Sequence, residues 1–202
     1  MLGFTRWQKV SLIAVLTLIV GAGTYLAAGG RVPSLPSSAL SGGLPAGGDF
    51  TLLSVDGPVR LADFRGQPVL IYFGYTSCPD ACPTMLGLTA QALALLTPAE
   101  LAEVRPLFIA IDPDRDTPPR IKEYAGFFHP ALRAATGSAD DIAAVARQYG
   151  VFYRAQKTGS ASGYTVDHSS SLYLIDRTGK LRQVLPHGTP PDQIAAALRT
   201  LF

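Results

Sequence analysis

Pro68-Val-Leu-Ile-Tyr-Phe-Gly74 runs through Tyr75-Thr76-Ser77 straight into Cys78-Pro79-Asp80-Ala81-Cys82-Pro83. This stretch decides the fold. Its first half is continuously apolar rather than alternating, which marks a central strand buried on both faces. Its second half carries the only two cysteines of the chain. Beyond Pro83 the sequence is Ala/Leu-rich and reads as a helix to about Leu96. Proline disfavours helical dihedrals in the residue before it. The helix is therefore expected to start at Pro83, with Cys82 at its cap and Cys78 in the preceding loop.

The flanking sequence supplies the rest of a sheet. Phe50–Ser54 and Val59–Leu61 read as short strands around the turn Asp56-Gly57-Pro58, with a further turn at Asp63–Gln67. Thr97-Pro98-Ala99-Glu100 has the form of a capping box with proline at the first helical position. Pro106–Asp112 is a second buried strand. Thr117-Pro118-Pro119 caps a helix to about Phe128, and Ser138–Asp141 caps another to about Tyr149. Val151–Arg154 and Ser171–Ile175 are strands. Asp176–Gly179 turns the second of these into Leu181–Leu185, and Thr189-Pro190-Pro191-Asp192 caps a last helix. Strands alternating with helices, closed by a hairpin and a helix, make a mixed α/β sheet with helices on both faces. A thiol pair between a central strand and a helix N-terminus is a thioredoxin-like arrangement, and such sheets hold their ligand sites at strand C-termini.

The N-terminal part has a different character. No charge falls between Lys9 and Arg31. A bilayer-crossing helix needs about 20 mostly apolar residues, which this run supplies. Arg6 and Lys9 precede it, so the positive-inside bias leaves the N-terminus in the cytoplasm and exports the rest. A cleaved signal segment is the competing reading, but its apolar region is ordinarily shorter, about 7–15 residues. Both readings export the domain. Residues 1–30 are thus read as a short cytoplasmic N-terminus and transmembrane anchor, 31–48 as a Pro/Ser/Gly/Ala tether, and 49–202 as the folded domain. All acidic residues lie at or after Asp49. Without Arg6, Lys9 and Arg31, the 17 Lys+Arg become 14 against 15 acids, so the formal +2 belongs to the membrane end. Nothing suggests a nucleic-acid footprint.

Export sharpens the chemistry of the cysteines, because thiol pairs in oxidising compartments form disulfides. A purely structural bridge is a weak reading here. Closing so short a loop removes roughly 2 kcal/mol of chain entropy, against ~4.7 for a loop of 100 residues. Helix N-terminal N–H groups favour thiolate, which is both nucleophile and metal ligand. Ordinary thioredoxin motifs have two residues between the cysteines. Here Pro79, Asp80 and Ala81 make three, a gap wide enough for both sulfurs to face one metal while still permitting oxidation. His168, in Val166-Asp167-His168-Ser169, would be the third ligand, with Asp167, Ser169 and Ser170 able to orient its ring. Two thiolates and an imidazole suit Cu(I), and Cu(II) in distorted geometry. Zinc in an open Cys2His site is the chemical rival. A histidine after a strand is more often structural, and only the cysteines raise His168 above that. His129 and His187 read as surface residues.

Asp112-Pro113-Asp114-Arg115-Asp116-Thr117-Pro118 is the other charged cluster. Asp112, Asp114, Asp116 and Glu123 fall at EF-hand positions 1, 3, 5 and 12, but position 6 is Thr117 rather than the required glycine. Calcium is therefore not expected. The stretch reads as a turn and helix cap, with the further role of lending charge to the site or to a docking partner.

Tyr75–Pro83, Asp112–Pro118 and Tyr164-Thr165-Val166-Asp167-His168-Ser169 together resemble the Sco/SenC family over roughly residues 45–202. The resemblance implies a membrane-anchored, thioredoxin-like domain that binds copper and assists cytochrome c oxidase assembly. By motif, Cys78, Cys82 and His168 correspond to the family's copper ligands. The implied role is a metallochaperone in a bacterial inner membrane, its globular domain in the periplasm, serving the copper centre of oxidase subunit II, with other copper carriers as further partners. A mitochondrial location would need a transit peptide, for which the few residues before the anchor leave no room.

Two enzyme readings stand beside it. A thiol–disulfide oxidoreductase would use Cys78 and Cys82 as its redox pair and keep the subunit II cysteines reduced. Thioredoxins keep a cis-proline near that pair, whereas the comparable stretch here is His168-Ser169-Ser170. A peroxiredoxin-like peroxidase fits only through Thr76, with Ile71 in place of the expected upstream proline.

Overall fold

Strand β3 (Val69–Gly74) is buried at all of its six positions. It pairs in parallel with β4 (Arg105–Ala110) and antiparallel with β8 (Leu172–Ile175). β5 (Arg133–Ala135) adds a parallel edge beyond β4, and β9 (Leu181–Leu185) an antiparallel edge beyond β8. The resulting five-stranded order is β5-β4-β3-β8-β9. The computed structural model describes residues 43–157 and 163–202, and Leu44–Phe202 form one compact unit. The expected anchor at residues 1–30 and most of the expected tether lie outside the described residues. Among those residues no helix is long and apolar enough to cross a membrane.

Successive residues of β3 show why the strand is apolar throughout. Tyr72 stacks on Phe108 of β4, which meets Tyr124 of the helix α3 (Pro118–Phe128). Phe73 points the other way, into Tyr149 of α4 (Ala139–Tyr149) and Tyr173 of β8. Alternate side chains of a strand leave by opposite faces, so each face needs its own apolar set and its own helical cover. On the Tyr72 face α1 (Ala81–Ala94) packs against α5 (Pro191–Arg199) and α3. The mixed sheet with helices on both faces is as expected.

The expected caps at Thr97 and Ser138 form, both as capping boxes, while Thr117 precedes α3 without a side-chain cap hydrogen bond. Thr97 and Glu100 exchange hydrogen bonds at the start of α2 (Pro98–Glu103), and Ser138 and Asp141 do so at the start of α4. The hairpin turn closes through Asp176, whose carboxylate accepts from the Thr178 and Lys180 N–H groups.

Three local expectations need correction. α1 begins at Ala81 rather than Pro83, so Cys82 lies inside the first turn instead of at the cap. Proline is tolerated there because first-turn N–H groups have no intrahelical acceptor to lose. The strand expected at Val151–Arg154 is β6 (Tyr153–Lys157), and its partner β7 (Tyr164–His168) was not expected at all. These two make an antiparallel ribbon separate from the five-stranded sheet, as do β1 (Thr51–Ser54) and β2 (Gly57–Arg60). Lastly, the cap of α5 is Pro190, and the Thr189 hydroxyl donates to the Pro186 carbonyl instead of closing the helix.

Candidate metal and thiol site

The site is assembled from three elements. β3 ends at Gly74, and the chain continues through Tyr75-Thr76-Ser77 to Cys78, whose N–H donates to the Tyr75 carbonyl at 3.3 Å. α1 carries Cys82, which is 0% exposed, while Cys78 is only half-buried. The ribbon brings His168 at the end of β7, with Tyr153 as its cross-strand partner. One ligand atom from each of Cys78, Cys82 and His168 lies within 4.8 Å of the others. Among the described residues no other group of three His, Cys, Asp or Glu side chains gathers in this way. His129 is half-buried and accepts from the Ala131 N–H through Nδ1, and His187 is exposed. Neither joins the cluster.

Hydrogen bonding orients each ligand atom. His168 Nδ1 lies 2.9 Å from the Ser169 carbonyl oxygen. A carbonyl can only accept, so Nδ1 carries the proton. Nε2 is left with its lone pair facing Cys82 Sγ, 3.4 Å away. The rings of Tyr72 and Tyr75 stand edge-on to the imidazole, at 6.3 and 5.7 Å between centroids. Cys78 Sγ accepts the Cys82 N–H at 3.4 Å. A sulfur thus takes the place of a capping oxygen for one of the free N–H groups of the first turn.

The two thiols differ electrostatically. Cys78 is held well below the ordinary thiol range by a hydrogen bond from the Cys82 thiol, against its own burial, with help from His168 when its Nε2 also carries a proton and from the Cys82 and Asp80 N–H groups. Cys82 is pushed up by the same partnership and by burial. The exposed member is therefore the thiolate and the buried member the thiol. A donor set of one thiolate, one thiol able to lose its proton and one imidazole nitrogen can hold a soft metal ion. Since both cysteines are free, the pair can also take part in disulfide exchange.

Several supporting residues escaped the sequence reading. A Cβ on Gly74 would sit 2.7 Å from Cys82 Sγ and 3.0 and 3.1 Å from the Tyr72 and Phe108 rings. Only glycine lets the helix lay its sulfur against the strand end. Two acids of the charged loop after β4 are interior: Asp112 and Asp116 are 4% and 0% exposed, while Asp114 is exposed. Asp116 accepts from the Thr76 N–H at 3.0 Å and from the Thr76 hydroxyl at 2.6 Å, fixing the run-in to Cys78. Arg120 donates to Thr76 Oγ1 and Ser77 Oγ. Asp112 accepts from the Tyr164 hydroxyl at 2.7 Å. The density of acids at Asp112–Asp116 was a signal, but one that also fits a solvated turn.

A thioredoxin-like sheet carrying a Cys-Cys-His cluster at the end of its central strand defines the class. Residues 38–202 match the SCO1/SenC family, and the chain belongs to it. It is 44% identical over 154 residues to the mitochondrial SCO2 homolog of Bos taurus, covering 75% of this chain but 58% of that protein. It is 36% identical over 197 residues to a SCO2-like protein of Rickettsia felis, covering 94% and 96%. Among solved structures, Bradyrhizobium japonicum ScoI with copper bound is 35% identical with a TM-score of 0.71, over 78% of this chain and 99% of that one.

Proposed function

We propose that this protein is a copper-binding accessory factor for cytochrome c oxidase assembly, a metallochaperone that takes copper through Cys78, Cys82 and His168. Its recipient is the copper centre of oxidase subunit II. In this reading residues 1–30 anchor it in a bacterial inner membrane and the domain works in the periplasm. The observation that carries the proposal is the convergence of two sulfurs and an imidazole Nε2 within 4.8 Å, with the ring proton held on the far nitrogen. The copper-bound relative supports copper over zinc.

Copper here is cargo, and the chain's own groups do the rest. Cys78 is presented as thiolate at the mouth of the site. Cys82 releases its proton on binding, since a coordinating thiol must be deprotonated. Tyr72 and Tyr75 wall the imidazole from solvent. The test is copper content of the reduced protein. One ion per chain is expected, with none held tightly after Cys78→Ser or Cys82→Ser and weaker retention after His168→Ala. Unchanged stoichiometry in the double cysteine variant would overturn the assignment.

The unequal thiols favour one second reading, a thiol–disulfide reductase for the subunit II cysteines. Cys78 thiolate would attack a substrate disulfide and expel one substrate thiolate, which takes up a proton. Cys82, after losing its proton, would then attack the mixed disulfide, leaving a Cys78–Cys82 disulfide and a reduced substrate. His168→Ala separates the two, because it removes a metal ligand and leaves both thiols. Cells carrying it should lose assembled oxidase if copper handling is the role. They should keep it if reduction is the role, while either cysteine variant loses it in both cases.

A further inference from the structure

His168 is the one member of the cluster that stands on the β6–β7 ribbon. β6 and β7 pair only with each other, so no ladder of hydrogen bonds fixes the ribbon's height or tilt over the cysteines. The chain joins His168 to β8 only through Ser169-Ser170-Ser171. Among the described residues, three further hydrogen-bonded contacts bear on where the ribbon stands. At the end nearest His168, the Ser169 N–H donates to the Phe152 carbonyl and the Phe152 N–H to Ser169 Oγ, but both residues belong to the ribbon and its immediate flanks. In the middle, the Val166 N–H donates to the Tyr75 hydroxyl at 3.2 Å. At the far end of β7, Tyr164 meets the loop after β4. Its hydroxyl donates to Asp112 Oδ1 at 2.7 Å, its carbonyl accepts from Arg115 Nη1 at 2.9 Å, and the Arg115 guanidinium lies 3.7 Å over its ring. Arg115 Nε in turn donates to Asp112 Oδ2 at 2.5 Å.

This far contact has the character of a fixed mount. Asp112 is nearly inaccessible, so its two oxygens are committed to Tyr164 and Arg115. It sits two residues past the end of β4, the neighbour of the strand that leads into the cysteines, and so belongs to the same rigid frame. Tyr164 is held at hydroxyl, ring and carbonyl at once, which fixes rotation of the strand as well as its position. His168 lies four residues along the same strand and on the same face, by the two-residue period of β-structure.

Taking the metal reading of the cluster as given, we propose that Tyr164, Asp112 and Arg115 form a latch that positions His168, and thereby sets how tightly the third ligand closes on metal bound at the cysteines. They are positioning residues and touch no metal. The neighbouring Asp116 performs the matching task for the other side of the cluster, through Thr76. The loop Asp112–Asp116 thus fastens the run-in to Cys78 and strand β7 to one frame.

The test is a double-mutant cycle on the full chain, read by Cu(I) titration against a competing chelator. Tyr164→Phe removes the hydroxyl and keeps the ring under Arg115. It should weaken Cu(I) binding roughly tenfold, the scale on which outer partners of metal ligands act. In a His168→Ala background the same substitution should change nothing further, because the latch acts only through that ring. Arg115→Lys, which loses the planar stack and the fork, should behave the same way with a larger loss. Alkylation of Cys78 in metal-free protein should change far less than Cu(I) affinity in both variants, because the Cys82 thiol is the larger hold on its thiolate. An equal loss with and without His168, or no loss in either background, would overturn the latch. If the wild-type protein took up no copper, the copper reading would fall. The latch would then be judged on amide exchange of Val166 and His168, which must quicken in Tyr164→Phe for the inference to stand.

Discussion

The five-stranded sheet and the β6–β7 ribbon meet at the same cluster but are built on different terms. Every strand of the sheet is fixed by ladders on one or both sides, and β3 by two. Its side chains are gripped from both faces by aromatic pairs. The ribbon has one ladder, its own, and mostly exposed side chains in β6. Cys82 is therefore sealed against a frame whose geometry is over-determined, and His168 stands on an arm aimed by a few side chains. A site made in this way can have a rigid inner sulfur and an adjustable nitrogen.

The most direct way to break that contrast is hydrogen exchange. Amides of β3, β4 and β8 should exchange only with global unfolding, while those of β6 and β7 should open at lower cost. The protection factors are expected to differ roughly thirtyfold or more. Equal protection would make the ribbon part of the same cooperative unit.

Substitutions in the sheet sharpen the comparison. Phe73→Ala empties the centre of the α4 face and should cost about 3–5 kcal/mol in chemical denaturation. Next comes Gly74→Ala, whose Cβ has no room beside Cys82 Sγ. Overpacking of this kind costs about 1–3 kcal/mol. Because the sulfur must move, copper retention should fall in the same variant; retention at the wild-type level would show that the strand end does not set the sulfur's place.

The smallest effect concerns the hairpin turn. Burial raises the Asp176 carboxyl, but hydrogen bonds from Thr178, Lys180 and Arg182 outweigh it and hold the group below the ordinary carboxylate range. A folded value below the unfolded one contributes stability above the unfolded value of about 3.9, and loses it as pH falls. Asp176→Asn should therefore cost about 1–2 kcal/mol at pH 7. The gap from wild type should close as pH drops below about 4. A gap independent of pH would mean that shape and not charge closes the turn.

The legibility of the chain follows the same division. β3, β4 and the two capping boxes could be read because their signals are local: a continuous apolar run, or a Ser/Thr with an acid three residues on. Cys78, Cys82 and His168 could be nominated from ligand chemistry and motif. β7 could not be read, because Tyr164-Thr-Val-Asp-His168 has a single buried position, Val166, and its pairing depends on β6. β5 is three residues long and is recognisable only against β4. The helix starts two residues before Pro83 because a proline marks a boundary only in the helix interior and the first turn tolerates it. The interior role of Asp112 and Asp116 was hidden for a simpler reason: two acids in a turn read as solvated until their donors, Tyr164 and Thr76, are brought in from elsewhere in the chain.

Cys82 sits within the first turn of α1, not ahead of it, and this gives the cluster a front and a back. A helical residue sealed against a strand end cannot swing outward without unwinding its helix. Cys78, in the loop and half-exposed, has no such restraint. Any visitor, whether a silver ion, an alkylating reagent or another protein's thiol, must greet Cys78 first and reach Cys82 last. Traffic through the site is one-way at its threshold, with a doorkeeper sulfur and an inner sulfur that never leaves its post.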